Sequence, residues 1–160
     1  IKEDRAQIKE DRAQIKEDRA QIKEDRAQAS ISAKNAQAAS FFAQGNAKVE
    51  QGDWDGAIAD YTEAIRLKPD DAGIYNNRGN AKAEKDDWDA AIADYDQALR
   101  LKPDDAGIYY NRGNSKYAKD DRDAALADWQ EALSRAVAQN LPDALIANIK
   151  QKIDMLSDDA

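Results

Sequence analysis

The 160 residues carry 24 Lys or Arg against 32 Asp or Glu, with no histidine and no cysteine. Absent cysteines exclude disulfides and thiol catalysis, and absent histidines remove the commonest general base and the commonest metal ligand. A net charge of −8 repels phosphate backbones, so nucleic acid is not an expected partner, and no apolar run approaches the roughly 20 residues that span a bilayer.

Residues 1–28 are four verbatim copies of IKEDRAQ. One Ile per seven residues (Ile1, Ile8, Ile15, Ile22) draws a slowly drifting stripe along a helix. No opposite charges lie three or four apart within or between copies, so intrachain support is expected to be poor and the segment reads as built for a partner. Ile at heptad position d puts Arg5, Arg12, Arg19 and Arg26 at a, and sets Asp4 at g against Lys9 at e across a parallel interface. The other phase buries Asp. Four buried Ile are worth about 6–12 kcal/mol per chain, and ordering costs of similar size oppose that gain. The expectation is a weak homo-oligomer joined through residues 1–28. The charge is balanced over these copies, so the whole net charge lies beyond residue 28. Opening on Ile1, the chain reads as a fragment of undecided compartment, cytoplasmic by default.

Residues 29–37, ASISAKNAQ, hold neither Gly nor Pro, so nothing stops a helix there. The heptad segment, residues 1–37, is expected to run on as one helix to about Gln51.

Three blocks follow without gaps: 38–71, 72–105 and 106–139. Gly45, Gly79 and Gly113 share one register, Ala57, Ala91 and Ala125 a second, and Tyr61, Tyr95 and Trp129 a third. Ala64, Ala98 and Ala132 follow, and Pro69 and Pro103 close the first two blocks. A fixed period of this size means that one unit cannot bury its apolar face alone and stacks on its neighbours. The period and these residue types resemble the tetratricopeptide repeat (TPR), a helix–turn–helix unit whose arrays bind peptides. The resemblance implies an all-α fold, a short right-handed superhelix (an α-solenoid), and the heptad pattern puts a long coiled-coil-type helix before it. It also implies a non-enzymatic protein with no catalytic residue, cofactor or metal, whose function lies in a groove between helices.

In each block helix A is expected over roughly 39–51, 73–85 and 107–119. Asp53, Asp87 and Asp121 suit the N-caps of the helices B that follow. The first two of those end at Lys-Pro-Asp-Asp, where Pro69 and Pro103 cannot continue a helix. Val137 stands where a third Pro would fall, so the last helix B can extend. Residues 140–160 form a capping helix, with Leu145, Ile149, Ile153 and Leu156 on one face to close the array.

The glycines cost about 1 kcal/mol each inside a helix, so they must serve close approach of helices A and B. The asparagines ask for another reason. Asn77, Asn80, Asn111 and Asn114 recur in Asn-Arg-Gly-Asn, with Asn46 in the register of the later pair. Asn competes with the backbone for hydrogen bonds and is a middling helix former. The resemblance places this face along the concave groove, where amides can hold the main chain of an extended peptide. Phe42, Val49, Asn76, Glu84, Tyr110 and Tyr117 are their neighbours there. Two alternatives stay open: the amides contact a ligand, or they tie each repeat to the one before. Arg78 and Arg112 are expected to pair with an Asp, such as one in the preceding repeat. A two-carboxylate clamp for acidic tails, known in this family, would need basic residues at Phe42, Gly107 and Asn111, and none is basic. The acid clusters lack the distal Glu of a calcium loop and read as helix caps. The expected function is a module binding a peptide or a partner helix in the groove, gathered by the heptad helix. The alternative is a structural spacer or end-piece of a coiled-coil assembly.

Overall fold

In the computed structural model residues 2–157 are described, with side chains for Arg5 and for residues 7–156. Ile1 lies outside them. The described residues form α1 (Lys2–Glu50), α2 (Trp54–Leu67), α3 (Ala72–Ala83), α4 (Trp88–Leu101), α5 (Ala106–Ala118), α6 (Arg122–Ala138) and α7 (Asp143–Ser157). The fold is an all-α helical solenoid. None of these helices is long and apolar enough to cross a membrane.

The chain divides into two compact units, Ile1–Gln37 and Ala38–Ala160. The first is helix throughout its described residues. Ile8, Ile15 and Ile22 are each 51% exposed. The expectation of poor intrachain support is corrected here. Gln7, Gln14 and Gln21 each donate from Nε2 to the Asp four residues on, at 2.9, 2.8 and 2.8 Å. Such bonds stabilise a helix by about 0.2–0.5 kcal/mol each. Counting charges overlooked them because the amide carries none.

In the second unit helices alternate as A and B, the first helix A being the end of α1 from Ala38. The turns between A and B are left-handed at one residue: Gly52 at φ 74°, Asp86 at 59° and Asp120 at 63°. Asp53, Asp87 and Asp121 then accept from the backbone N–H groups of Gly56, Ala90 and Ala124. These bonds satisfy donors that a helix start leaves orphaned. The acid clusters are therefore caps. Asp71 and Asp105 cap α3 and α5 in the same way. With Val137 in place of a proline, α6 runs 17 residues against 14 for α2 and α4.

Each helix B turns one face inward. Ala57, Tyr61 and Ala64, and their counterparts Ala91, Tyr95 and Ala98, are at most 1% exposed. Their spacing of four and three residues follows the helix period. Trp129, Ala132 and Ala136 continue the core, closed by Ile149 and Leu156 of α7. The small residues have a steric role. A Cβ on Gly45, Gly79 or Gly113 would lie 2.6, 2.7 and 2.6 Å from the nearest ring atom of Tyr61, Tyr95 and Trp129.

Candidate functional site

Arg78 and Arg112 set the helices that carry the site. Arg78 donates to both oxygens of Asp94, from Nε at 2.8 Å and Nη2 at 2.7 Å. Arg112 binds Asp128 likewise at 2.8 and 2.6 Å, and Lys82 and Lys116 reach the same carboxylates at 2.8 Å. Asp94 and Asp128 are 4% exposed, so this pairing compensates their desolvation. Each arginine thus pairs an Asp, as expected, and its bidentate partner lies in its own repeat. The preceding repeat supplies a second contact, Thr62 Oγ1 to Arg78 at 3.1 Å and Asp96 to Arg112 at 2.6 Å. The bond to Asp128 pushes the Arg112 guanidinium upward, against the opposite effect of burial. In the first repeat Gln44 stands in the arginine register, and Lys48 alone pairs Asp60, at 2.7 Å.

The asparagines form a bonded series. Asn46 Oδ1 accepts from the Tyr61 hydroxyl at 2.7 Å and from Asn77 Nδ2 of the next repeat at 3.2 Å. Asn80 Oδ1 accepts from the Tyr95 hydroxyl at 2.8 Å, and Asn111 donates to Asn76 at 3.1 Å. Burial pushes the phenols of Tyr61 and Tyr95 above their ordinary range. Asn77 and Asn111 are therefore bonded to the preceding repeat, while Asn46 and Asn80 are bonded to the facing helix B.

Beside this series lie two pockets, of 460 and 440 Å³. The first is lined by Asn46, Val49, Glu50, Trp54, Tyr61, Asn77, Asn80, Ala81 and Glu84. Glu84 apart, adding 34 to a lining residue gives the second: Asn80, Ala83, Glu84, Trp88, Tyr95, Asn111, Asn114 and Ser115, with Asp86 in the register of Gly52. Each pocket sits between the A and B helices of one repeat and helix A of the next.

Of the expected groove residues, Asn46, Val49, Asn77, Asn80, Glu84, Asn111 and Asn114 line these two pockets. Phe42, Asn76, Tyr110 and Tyr117 line neither. Phe42 packs on Tyr61 with ring centres 5.8 Å apart, and Tyr117 packs on Trp129 at 5.6 Å. Tyr110 packs against the core that holds Trp129. Asn76 joins Asn111 at a third, smaller cavity of 150 Å³. Sequence reasoning missed Trp54, Trp88, Tyr61 and Tyr95 as pocket residues, because aromatic residues at the start and along the inner face of a helix B read as packing. Following the 34-residue register out from Asn46 and Asn80 would not have found them, since aromatic rings at core spacing carry no mark of a pocket wall.

Stacked helix pairs that enclose a repeated, partly polar pocket define a helical-repeat interaction scaffold. The family description "TPR repeat" matches residues 45–86 and 79–120, and the chain belongs to the tetratricopeptide-repeat family. No curated protein matches the sequence significantly. Among solved structures, the chain is similar to the TPR2B domain of yeast Sti1 in a pHsp70 complex. That match has 27% identity and a TM-score of 0.72, and covers 78% of this chain and 99% of that one. It shares its fold with the Arabidopsis OM64 TPR domain, at 24% identity and TM-score 0.65, covering 74% and 98%. The first TPR of Spaghetti (RPAP3), bound to the HSP90 peptide SRMEEVD, matches at 21% identity and TM-score 0.67, covering 77% and 95%.

Proposed function

We propose that the chain is a non-enzymatic interaction module that holds a peptide or partner helix in the groove of its repeats. The heptad helix gathers copies through Ile1, Ile8, Ile15 and Ile22, which raises avidity without new contacts. One observation carries the reading: the same pocket occurs twice in a 34-residue register, with asparagine, tyrosine and tryptophan walls. The Nδ2 groups of Asn46 and Asn80 have no protein partner among the described residues. They are donors for a ligand's main-chain carbonyls. The yeast Sti1 domain in its pHsp70 complex supports the reading by likeness. Neither nucleic acid nor a membrane enters this reading.

The test is selection from a peptide library against the full chain, read by tryptophan fluorescence. Selected peptides should perturb Trp54 and Trp88, and the Trp54→Ala, Trp88→Ala double variant should lose them while staying folded. Peptides that leave both tryptophans unperturbed would refute the groove. For assembly, Ile8→Asn with Ile15→Asn should shift sedimentation toward monomer. An unmodified chain already monomeric at high micromolar concentration would remove that half of the reading.

A further inference from the structure

We infer that the groove selects an extended cationic segment bearing two Lys or Arg side chains about three residues apart, one for each pocket. This rests on the groove reading above and names its ligand class. The charged side chains lining the two pockets are Glu50, Glu84 and Asp86, and no Lys or Arg lines either one. All three are exposed, and Glu84 lines both pockets.

The nearby cations of the array are committed elsewhere. Lys48 holds Asp60, Arg78 and Lys82 hold Asp94, and Arg112 and Lys116 hold Asp128. Glu50, Glu84 and Asp86 have no cationic partner among the described residues. A ligand carboxylate would thus meet only like charge, whereas a guanidinium or ammonium would meet two or three unpaired acids. Electrostatic complementarity of this kind discriminates between partners more than it adds raw affinity.

Chemistry other than charge agrees. Trp54 and Trp88 are half-buried in the walls, so their rings can take a stacked cation. The walls of Asn46 and Asn80 offer donors to the main chain of the same segment. Side chains of successive helices A touch, as Asn77 does Asn46, so the subsites are separated by about one helix-packing distance, roughly 8–10 Å. A polyproline-type extended chain rises about 3.1 Å per residue with three residues per turn. Residues i and i+3 of such a chain therefore point the same way about 9 Å apart.

The experiment is fluorescence anisotropy of the full chain with three labelled octapeptides. Each is an alanine peptide with Arg, Gln or Glu at positions i and i+3. The Arg peptide should bind at least about fivefold more tightly than the Gln peptide, and the Glu peptide more weakly than either. Glu50→Gln with Glu84→Gln should cost the Arg peptide at least about fivefold. Glu10→Gln with Glu17→Gln removes the same charge from the heptad helix and should change affinity less than twofold. Equal losses in the two double variants would overturn the inference, since only net charge would then be acting. So would a Gln or Glu peptide that binds as tightly as the Arg peptide. If such a peptide perturbs Trp88, the groove reading survives and charge selection alone fails. If none of the three binds while library selection yields groove ligands, the inference again fails alone. If the selection also yields none, both fail.

Discussion

Gly79→Ala separates the two demands on a helical glycine. In an exposed helix interior the change to Ala would stabilise by about 1 kcal/mol, because Gly loses more backbone freedom on folding. Here the added Cβ would lie 2.7 Å from Tyr95 Cε1, 3.0 Å from Cδ1 and 3.1 Å from Cζ. The Tyr95 ring is 1% exposed, and its hydroxyl is held by Asn80 at 2.8 Å. The ring cannot swing aside without losing that bond, worth about 1 kcal/mol. Forcing α3 away from α4 instead opens the contact around Ala91 and Ala98. Overpacking of this kind costs about 1–3 kcal/mol. Subtracting the propensity gain from that cost leaves a net loss of up to about 2 kcal/mol.

The same helix supplies the control. A Cβ on Gly73 would meet only the Asp71 carboxylate oxygen, at 3.2 Å. That oxygen is the α3 cap, accepting from the Gly73 N–H at 3.1 Å, and it needs to shift by only a little to clear the Cβ, so Gly73→Ala should cost far less than Gly79→Ala. Urea unfolding of both variants, followed by helical circular dichroism, makes the comparison. Gly79→Ala should move the midpoint down and Gly73→Ala should move it far less. If Gly79→Ala equals or exceeds the parent, helix propensity dominates and the close-contact argument is wrong.

Asp86→Gly should raise stability by about 0.5–1 kcal/mol, because Asp86 holds φ at 59° where glycine pays no Cβ penalty; an unchanged melting temperature would count against it. Arg112→Met should lower stability by about 2–4 kcal/mol by stripping the bidentate partner from buried Asp128. Adding Asp128→Leu should recover most of the loss in thermal melts. Burial raises the Tyr95 phenol, so the folded state keeps a proton that the unfolded chain releases near pH 10. Its contribution is complete below that value and is lost as pH rises toward the folded pKa. Urea midpoints at about pH 9 and about pH 11 should therefore differ less in Tyr95→Phe than in the parent.

What could be read from the sequence was whatever recurs or punctuates. The 34-residue period, the Lys-Pro-Asp-Asp stops and the capping aspartates are local signals, and the solenoid follows from them. What could not be read lies across a hairpin. Tyr61 and Asn46 are 15 residues apart and meet only because α2 folds back on the end of α1. A buried tyrosine reads as core until its hydroxyl is seen holding the amide beside a pocket. Arg78 and Asp94 are 16 apart for the same reason. A chain pattern gives each residue a face but not the partner opposite: it pointed to an Asp such as one in the preceding repeat, which Arg112 finds in Asp96, but not to Asp94 and Asp128 across the hairpin. The Gln–Asp bonds of the heptad helix are local and were legible, but only to an inventory that includes neutral donors.

The third repeat breaks the register that the first two share. Asn77, Asn80 and Ala81 of α3 become Asn111, Asn114 and Ser115 of α5, then Leu145, Asn148 and Ile149 of α7. The last helix thus keeps the place of a helix A and retains one amide, on the exposed Asn148. Leu145 stands where Asn77 and Asn111 tie back to the preceding helix A. Ile149 stands where the small Ala81 and Ser115 line the pockets. Trp129 takes the tyrosine register at the same point and has no hydroxyl to offer Asn114. Its Nε1 and the Oδ1 of Asn114 are both buried without a hydrogen-bond partner. Leaving such groups unpaired costs about 1–3 kcal/mol each. What offsets that cost is closure: Ile149 is fully buried in the Trp129 cluster, and Lys152 Nζ stands 5.6 Å from the indole centre. A fully buried isoleucine contributes about 1.5–3 kcal/mol, and the larger indole surface adds to it. An array that ended on a tyrosine and a small residue would keep the hydroxyl–amide bond but leave this apolar face open to water. The end of the solenoid is therefore built by giving up the bond that shapes each pocket. The pocket pattern gives way where the core must close.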